Sequence, residues 1–175
     1  MAEEIEGPTL LEHYLEQKKS LGREIVNVDE PQQKLVIFTL GNERYAFPGK
    51  QIREILIQQP LFFVPGTPPA LEGVINLRNA IVSVLRLDLL LNLPQGEDLS
   101  DKPTVIIGEG GAFYSGIRVD RVLDVMDVPQ SFIHPPPSTL PPKILEVASG
   151  GLLLQKESIV IIDLDRLFQK YLQQS

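Results

Sequence analysis

Residues 64–88 read VPGTPPALEGVINLRNAIVSVLRLD, and their grammar decides what the remainder of the chain can be. Pro65, Gly66, Pro68 and Pro69 are turn chemistry that neither a helix interior nor a central strand accepts, and Gly73 is expected to end that turn. Val74–Leu77 and Ile81–Leu85 are two β-rich runs separated only by Arg78-Asn79-Ala80. So short a gap predicts a tight hairpin, and Asn79 is a residue type that tolerates positive φ. Arg78 then sits at the hairpin tip, facing solvent on a stiff support. Two readings stand side by side: a fixed planar cation that recognises a partner's carboxylates or carbonyls, or a solvated turn residue.

Outward from this stretch, composition narrows the function classes. The 175 residues suffice for one domain or two small packed lobes. Hydrophobic residues make up 43% and charged residues 22%, the profile of a water-soluble globular chain. With no cysteine there is no disulfide framework, thiolate metal site or cysteine nucleophile, which fits a cytoplasmic protein. The formal net charge of −7, with no Lys/Arg-rich run, argues against nucleic-acid binding. The apolar runs are too short to span a bilayer. Glu3, Glu4 and Glu6 make the N-terminus acidic, unlike a secretory signal.

In chain order, residues 1–33 read as a tail followed by an amphipathic helix and a polar connector. Thr9 with Glu12 forms a capping-box pattern, Leu10, Leu11, Tyr14, Leu15 and Leu21 recur at helical spacing, and Gly22 offers a stop. That helix would dock its stripe on its own domain or on a partner. Residues 34–172 form the folded body and 173–175 a tail. Leu35–Leu40 reads as a strand buried on both faces, with a return strand at Arg44–Phe47. Ile52, Ile55 and Leu56 fit one helical turn, or Ile55–Gln58 a strand; spacing leaves both open. Asp88 is placed as the cap of a short leucine-rich helix ended by Pro94. The polar stretch 95–103 divides the body into two β-rich halves. Beyond it come strands at Thr104–Ile107 and Phe113–Ile117 around a Gly108–Gly111 turn, and a half-exposed strand over 118–128 bent near Val122. A proline-rich loop over 129–142, short strands at 145–148 and 152–154 with Gly150-Gly151 between them, a buried strand at Ser158–Ile162, and a closing helix capped by Asp163 complete the chain. Short strands with frequent Gly/Pro turns predict all-β barrels. The repetition reads as architectural only, without a fixed-period sequence repeat.

Candidate chemistry is sparse. His13 and His134 have no companion at metal-ligand spacing, so no metal site is expected. Gly108–Phe113 opens like a dinucleotide fingerprint, but Phe113 replaces the third glycine and a strand pattern follows. Walker, Gly-x-Ser-x-Gly and His-Glu-x-x-His patterns are absent. Asp120 and Asp124, in one regular strand, would lie about 13 Å apart and read as solvated. No cofactor and no enzymatic activity are expected. Arg78, Glu54 beside Ile52 and Ile55, and the proline loop remain as surface features suited to protein binding.

The central stretch resembles the signature of the CheW-like domain, an adaptor fold of bacterial chemosensory arrays. Four further segments resemble that family in the same order: Phe38–Ala46 its opening hairpin, Ile52-Arg53-Glu54-Ile55 its Val-x-Glu-Ile segment, Tyr114–Val122 its Gly-x-x-Val-Asp-x-Val strand, and Ile161–Asp165 its closing Leu-Asp segment. The resemblance covers about Lys34 to Leu172. It implies two packed five-stranded SH3-like barrels; the N-terminal helix and the proline-rich loop read as additions to the family pattern, and a short C-terminal helix closes the chain. It also implies a non-catalytic adaptor between a CheA-type histidine kinase regulatory domain and a chemoreceptor cytoplasmic tip, located in the cytoplasm and recruited to receptor arrays, with self-association open. Ile52, Glu54 and Arg78 match the receptor-facing groove; the strand beginning at Thr104 and Val105 is the expected kinase-facing surface. Asn79 stands where the family has glycine and Ser83 where it has proline. Arg86 and Asp88 invert the family's charge order. The inversion costs little if the pair is structural and changes the partner if either charge faces one.

The alternatives are a small-molecule-binding β-barrel, which needs a deep pocket of convergent polar groups, and a regulatory protein of a pilus-motility or other non-flagellar system. A piece of a larger kinase is not expected, since the chain starts at Met1 and carries neither receiver nor ATP-binding motif. The adaptor reading expects co-purification with a kinase regulatory region, lost in Arg78→Glu or Glu54→Arg while the fold survives.

Overall fold

A computed structural model describes residues 30–174; the expected N-terminal helix lies outside the described residues. The strands are β1 (Gln32–Leu40), β2 (Glu43–Pro48), β3 (Ile52–Leu56), β4 (Leu71–Leu77), β5 (Ala80–Arg86), β6 (Thr104–Gly110), β7 (Phe113–Val119), β8 (Arg121–Pro129), β9 (Ala148–Leu154) and β10 (Glu157–Ile162). Helix α1 (Leu87–Leu91) follows β5, α2 (Pro142–Leu145) precedes β9, and α3 (Leu164–Gln174) follows β10. They form two five-stranded sheets, ordered β8-β1-β2-β10-β9 and β3-β6-β7-β5-β4. This is the mainly β, two-lobed architecture expected from the sequence.

Alternation along the strands sorts side chains into three cores. Leu35 and Ile37 on β1 point into the first lobe with Ala46, Met126 and Ile161, while Val36, Phe38 and Leu40 point the other way. On β6, Val105 and Ile107 fill the second lobe and Ile106 turns outward. These outward-turned residues meet Leu85, Ile117, Leu164 and Phe168 in a third core that includes residues of both lobes and of α3. A strand with apolar residues on both faces is therefore one that a second lobe covers. Fully burying one such side chain contributes about 1.5–3 kcal/mol, so the core between the lobes is a major part of what holds the chain together.

The lobes do not correspond to successive halves of the sequence. Strands β5 and β6, on either side of the 95–103 stretch, belong to the same sheet. That polar stretch separates two repeats, β1–β5 with α1 and β6–β10 with α3, rather than two barrels. Each lobe takes one hairpin from one repeat and three strands from the other. The seams are the parallel pairs β2·β10 and β5·β7 and the antiparallel pairs β1·β8 and β3·β6. Equivalent residues occur at a constant spacing: Gly73, Leu77, Leu87, Asp88 and Leu90 match Gly150, Leu154, Leu164, Asp165 and Leu167. Both repeats turn through two left-handed residues, Arg78-Asn79 (φ 48° and 67°) and Gln155-Lys156 (φ 52° and 66°). Each covers a sheet edge in the same way, Phe62 pairing with Val74 and His134 with Gly151. That spacing does not extend to the equivalent β1–β2 and β6–β7 turns, Gly41-Asn42 and Gly111-Ala112, so the repeat is architectural without a fixed sequence period, as expected.

Other local expectations are corrected. Gly73 lies inside β4 beside a bulge at Glu72, where a Cβ would sit 2.4 Å from the Phe62 carbonyl oxygen. Asp88 is buried inside α1, whose cap is Arg86 and whose end is the left-handed Asn92 rather than Pro94. The Gly108–Gly111 turn shrinks to Gly111-Ala112, because β6 runs on to Gly110. Of the expected strand at 145–148, Leu145 ends helix α2, residues 146–147 are a turn and Ala148 begins β9, within which Gly150-Gly151 lie rather than between strands. Residues 49–51 form a 3-10 turn and Ile52–Leu56 are strand, so the helical reading of Ile52, Ile55 and Leu56 is corrected, while the strand reading holds at Ile55 and Leu56 and ends before Ile57.

Candidate functional site

The hairpin β4–β5 closes on the pair Leu77↔Ala80, leaving a two-residue turn. Such a turn needs positive φ at both central residues to match strand twist, and Arg78 as well as Asn79 adopts it. The Asn79 amide donates to the Asn76 side-chain oxygen at 3.1 Å. Arginine is uncommon in this backbone region, and its fork is used at once. Arg78 Nη1 and Nη2 donate to the two carboxylate oxygens of Glu54 at 2.9 and 2.8 Å. Glu54 belongs to β3, and β3 and β4 are the two edge strands of the second sheet. The pair therefore clips the open side of that lobe while Arg78 stays 74% exposed.

Ile52 lies half-buried against the core between the lobes and supports β3 from below. A bulge at Arg53 separates Ile52 from Glu54. Arg53 Nε donates to Glu109 at 2.6 Å and its guanidinium lies 5.3 Å from the Tyr114 ring centroid. Two neighbouring cations on one edge, each oriented by its own carboxylate, make a pre-shaped polar surface. Of the kinase-facing expectation, Thr104 is half-buried and Val105 is fully buried in the second lobe. Strand β6 is paired on both sides, with β3 and β7, so the Val105 side chain has no surface to offer.

Sequence reasoning missed two features. Ile57, Phe62, Phe63 and Leu99 are exposed large hydrophobics around the start of β6: Leu56 pairs with Val105, and the Gln59 and Leu61 amides donate to the Pro103 and Asp101 carbonyls. The adjacent phenylalanines before the Pro/Gly run were the available signal. The second is Asp120, which is not a solvated strand residue. It sits in the bend between β7 and β8, where its carboxylate accepts from the Gly41 amide at 2.8 Å, from Glu97 at 2.9 Å and from Asp98 at 3.0 Å. It ties the β1–β2 turn to the 95–101 loop.

The inverted pair is internal. Arg86 donates twice to Asp88, at 2.9 and 2.7 Å, and Asp88 also accepts from the Leu89 and Gly96 amides. Burial alone pushes the Asp88 carboxyl up, but the Arg86 hydrogen bond and charge, with those amides, outweigh it and hold the group below the ordinary carboxylate range. Beside it, buried Arg118 bonds Glu72 and the Ser100 carbonyl. The polar recess lined by Arg86, Asp88 and Arg118 admits about 10 Å³, room for no more than about one water, so it is no substrate pocket. Among the described residues no His/Cys/Asp/Glu group is arranged to hold a metal, and no helix is long and apolar enough to cross a membrane.

Two interleaved barrels with charges fixed on an exposed edge define a docking module of the adaptor class. The chain belongs to the CheW-like domain family, whose match covers residues 34–171. It is 31% identical over 144 residues to the chemotaxis protein CheW of Bacillus subtilis, covering 82% of this chain and 91% of that one. It is 30% identical over 135 residues to CheW of Klebsiella aerogenes, covering 77% and 81%. The crystal structure of the scaffolding protein TtCheW from Thermoanaerobacter tengcongensis superposes with a TM-score of 0.68 at 28% identity, over 79% of this chain and 94% of that one.

Proposed function

We propose that this chain is a non-catalytic chemosensory adaptor that holds a CheA-type histidine kinase regulatory domain and a chemoreceptor cytoplasmic tip on two different faces. The observation that carries this reading is the outward guanidinium of Arg78, oriented by Glu54 on a hairpin of unusual backbone geometry. Its remaining N–H groups point to solvent and suit the carboxylates and carbonyls of a helical receptor tip. The kinase contacts the apolar surface of Ile57, Phe62, Phe63 and Leu99 beside Thr104; exposed aromatic residues of this kind are frequent interface anchors. The adaptor works in the cytoplasm at receptor arrays.

The test is reconstitution of receptor control over kinase autophosphorylation. The wild-type chain is expected to confer that control, Arg78→Glu to abolish it while kinase binding persists, and Phe63→Ser to weaken kinase binding at least tenfold. Control that survives Arg78→Glu removes the receptor assignment, and kinase affinity unchanged in Phe63→Ser removes the kinase one.

A further inference from the structure

The interleaving of the two repeats points to a partner for this chain: a second copy of itself. Within residues 32–91 the strand pairings are the hairpins β1–β2 and β4–β5, and β3 has no strand partner in its own repeat. Within residues 104–174 they are β6–β7 and β9–β10, and β8 has none in its own repeat. Isolated two-stranded hairpins are at best marginally stable in water, so each repeat completes its sheets only on the other. Several polar contacts cross the same division, although the Arg78–Glu54 and Arg86–Asp88 pairs stay within the first repeat. Lys34–Asp127, Arg44–Glu157, Arg53–Glu109, Arg118–Glu72, Gln51–Asp163 and Gly41–Asp120 all join one repeat to the other.

We propose that this repeat-to-repeat surface also operates between chains, giving a strand-exchanged dimer in which each copy's first repeat pairs with the other's second. Only the connector between α1 and β6 keeps the exchange within one molecule, by holding the repeats at high effective concentration. Every seam present in the monomer is present again in the dimer, so nothing but the connector changes. Such a dimer carries two Arg78–Glu54 sites in one particle.

The connector is anchored at both ends, Leu93 on the Asp88 carbonyl and Asp101 on the Leu61 amide. Deleting residues 95–100 draws these anchors together and disfavours closure within one chain. The full chain with this deletion, measured by light scattering after size exclusion, is expected at twice the monomer mass with a native-like β spectrum. A folded monomer overturns the proposal. Where the shortened chain fails to fold, the wild type decides. Two differently tagged wild-type chains, denatured together and refolded at rising concentration, are expected to give mixed-tag dimers that persist on dilution. Refolding to monomer alone at every concentration overturns it.

Discussion

Arg78 shows how a single side chain is positioned by backbone that it does not favour. Its pair with Glu54 is exposed, and exposed pairs contribute about 0.2–1 kcal/mol. Arg78→Ala or Glu54→Ala is therefore expected to lower stability by less than about 1 kcal/mol in denaturant titration. The exchanged double variant, Glu54→Arg with Arg78→Glu, should recover most of that loss and still not bind receptor. Asp120 behaves differently. Asp120→Ala leaves the Gly41, Glu97 and Asp98 amides without their acceptor, expected to cost about 1–3 kcal/mol and to speed hydrogen exchange at those three amides. Asp88 gives a pH dependence. A carboxyl with a folded pKa below its unfolded one contributes fully above the unfolded value, about 3.9, and loses that contribution as pH falls through the lowered folded value. The unfolding midpoint of the wild type should fall through this acid range. Asp88→Asn should show a shallower fall, starting from a stability lower by on the order of 3 kcal/mol because Arg86 loses its partner.

At the level of elements, the sequence revealed strands wherever alternation and turn residues agreed. The hairpin around Asn79 and the doubly buried Leu35–Leu40 are where expected, because turn chemistry and apolar runs are local signals. A regular rise through residue 120 would leave Asp120 solvated on a strand, but the chain bends there between β7 and β8 and the carboxylate turns to backbone amides. Helix α2 leaves no pattern in the sequence, since four residues after a proline run carry no helical period. Close approach is equally invisible to pattern. Gly73→Ala places a Cβ against the Phe62 carbonyl, so the Phe62–Val74 bridge must open. The expected cost is about 1–3 kcal/mol, with faster exchange at those two amides.

For the whole molecule, the architecture class was readable and the division of strands between lobes was not. Strand count and turn frequency report on barrels, whereas β2·β10 and β5·β7 join residues distant in sequence. The repeat is one of architecture: the turn residues Arg78-Asn79 and Gln155-Lys156 share a conformation without sharing identity. The candidate site is readable in the same measure. Glu54 and Arg78 could be named from motif and turn, but their direct contact depends on β3 and β4 both being edge strands. The most direct test of the adaptor reading is co-purification of the chain with a kinase regulatory region and a receptor-tip fragment presented together. The account expects the wild type to retain both, and Arg78→Glu, folded as before, to retain the kinase region and lose the receptor tip. Retention of the receptor tip by Arg78→Glu, or of neither fragment by the wild type, would contradict it.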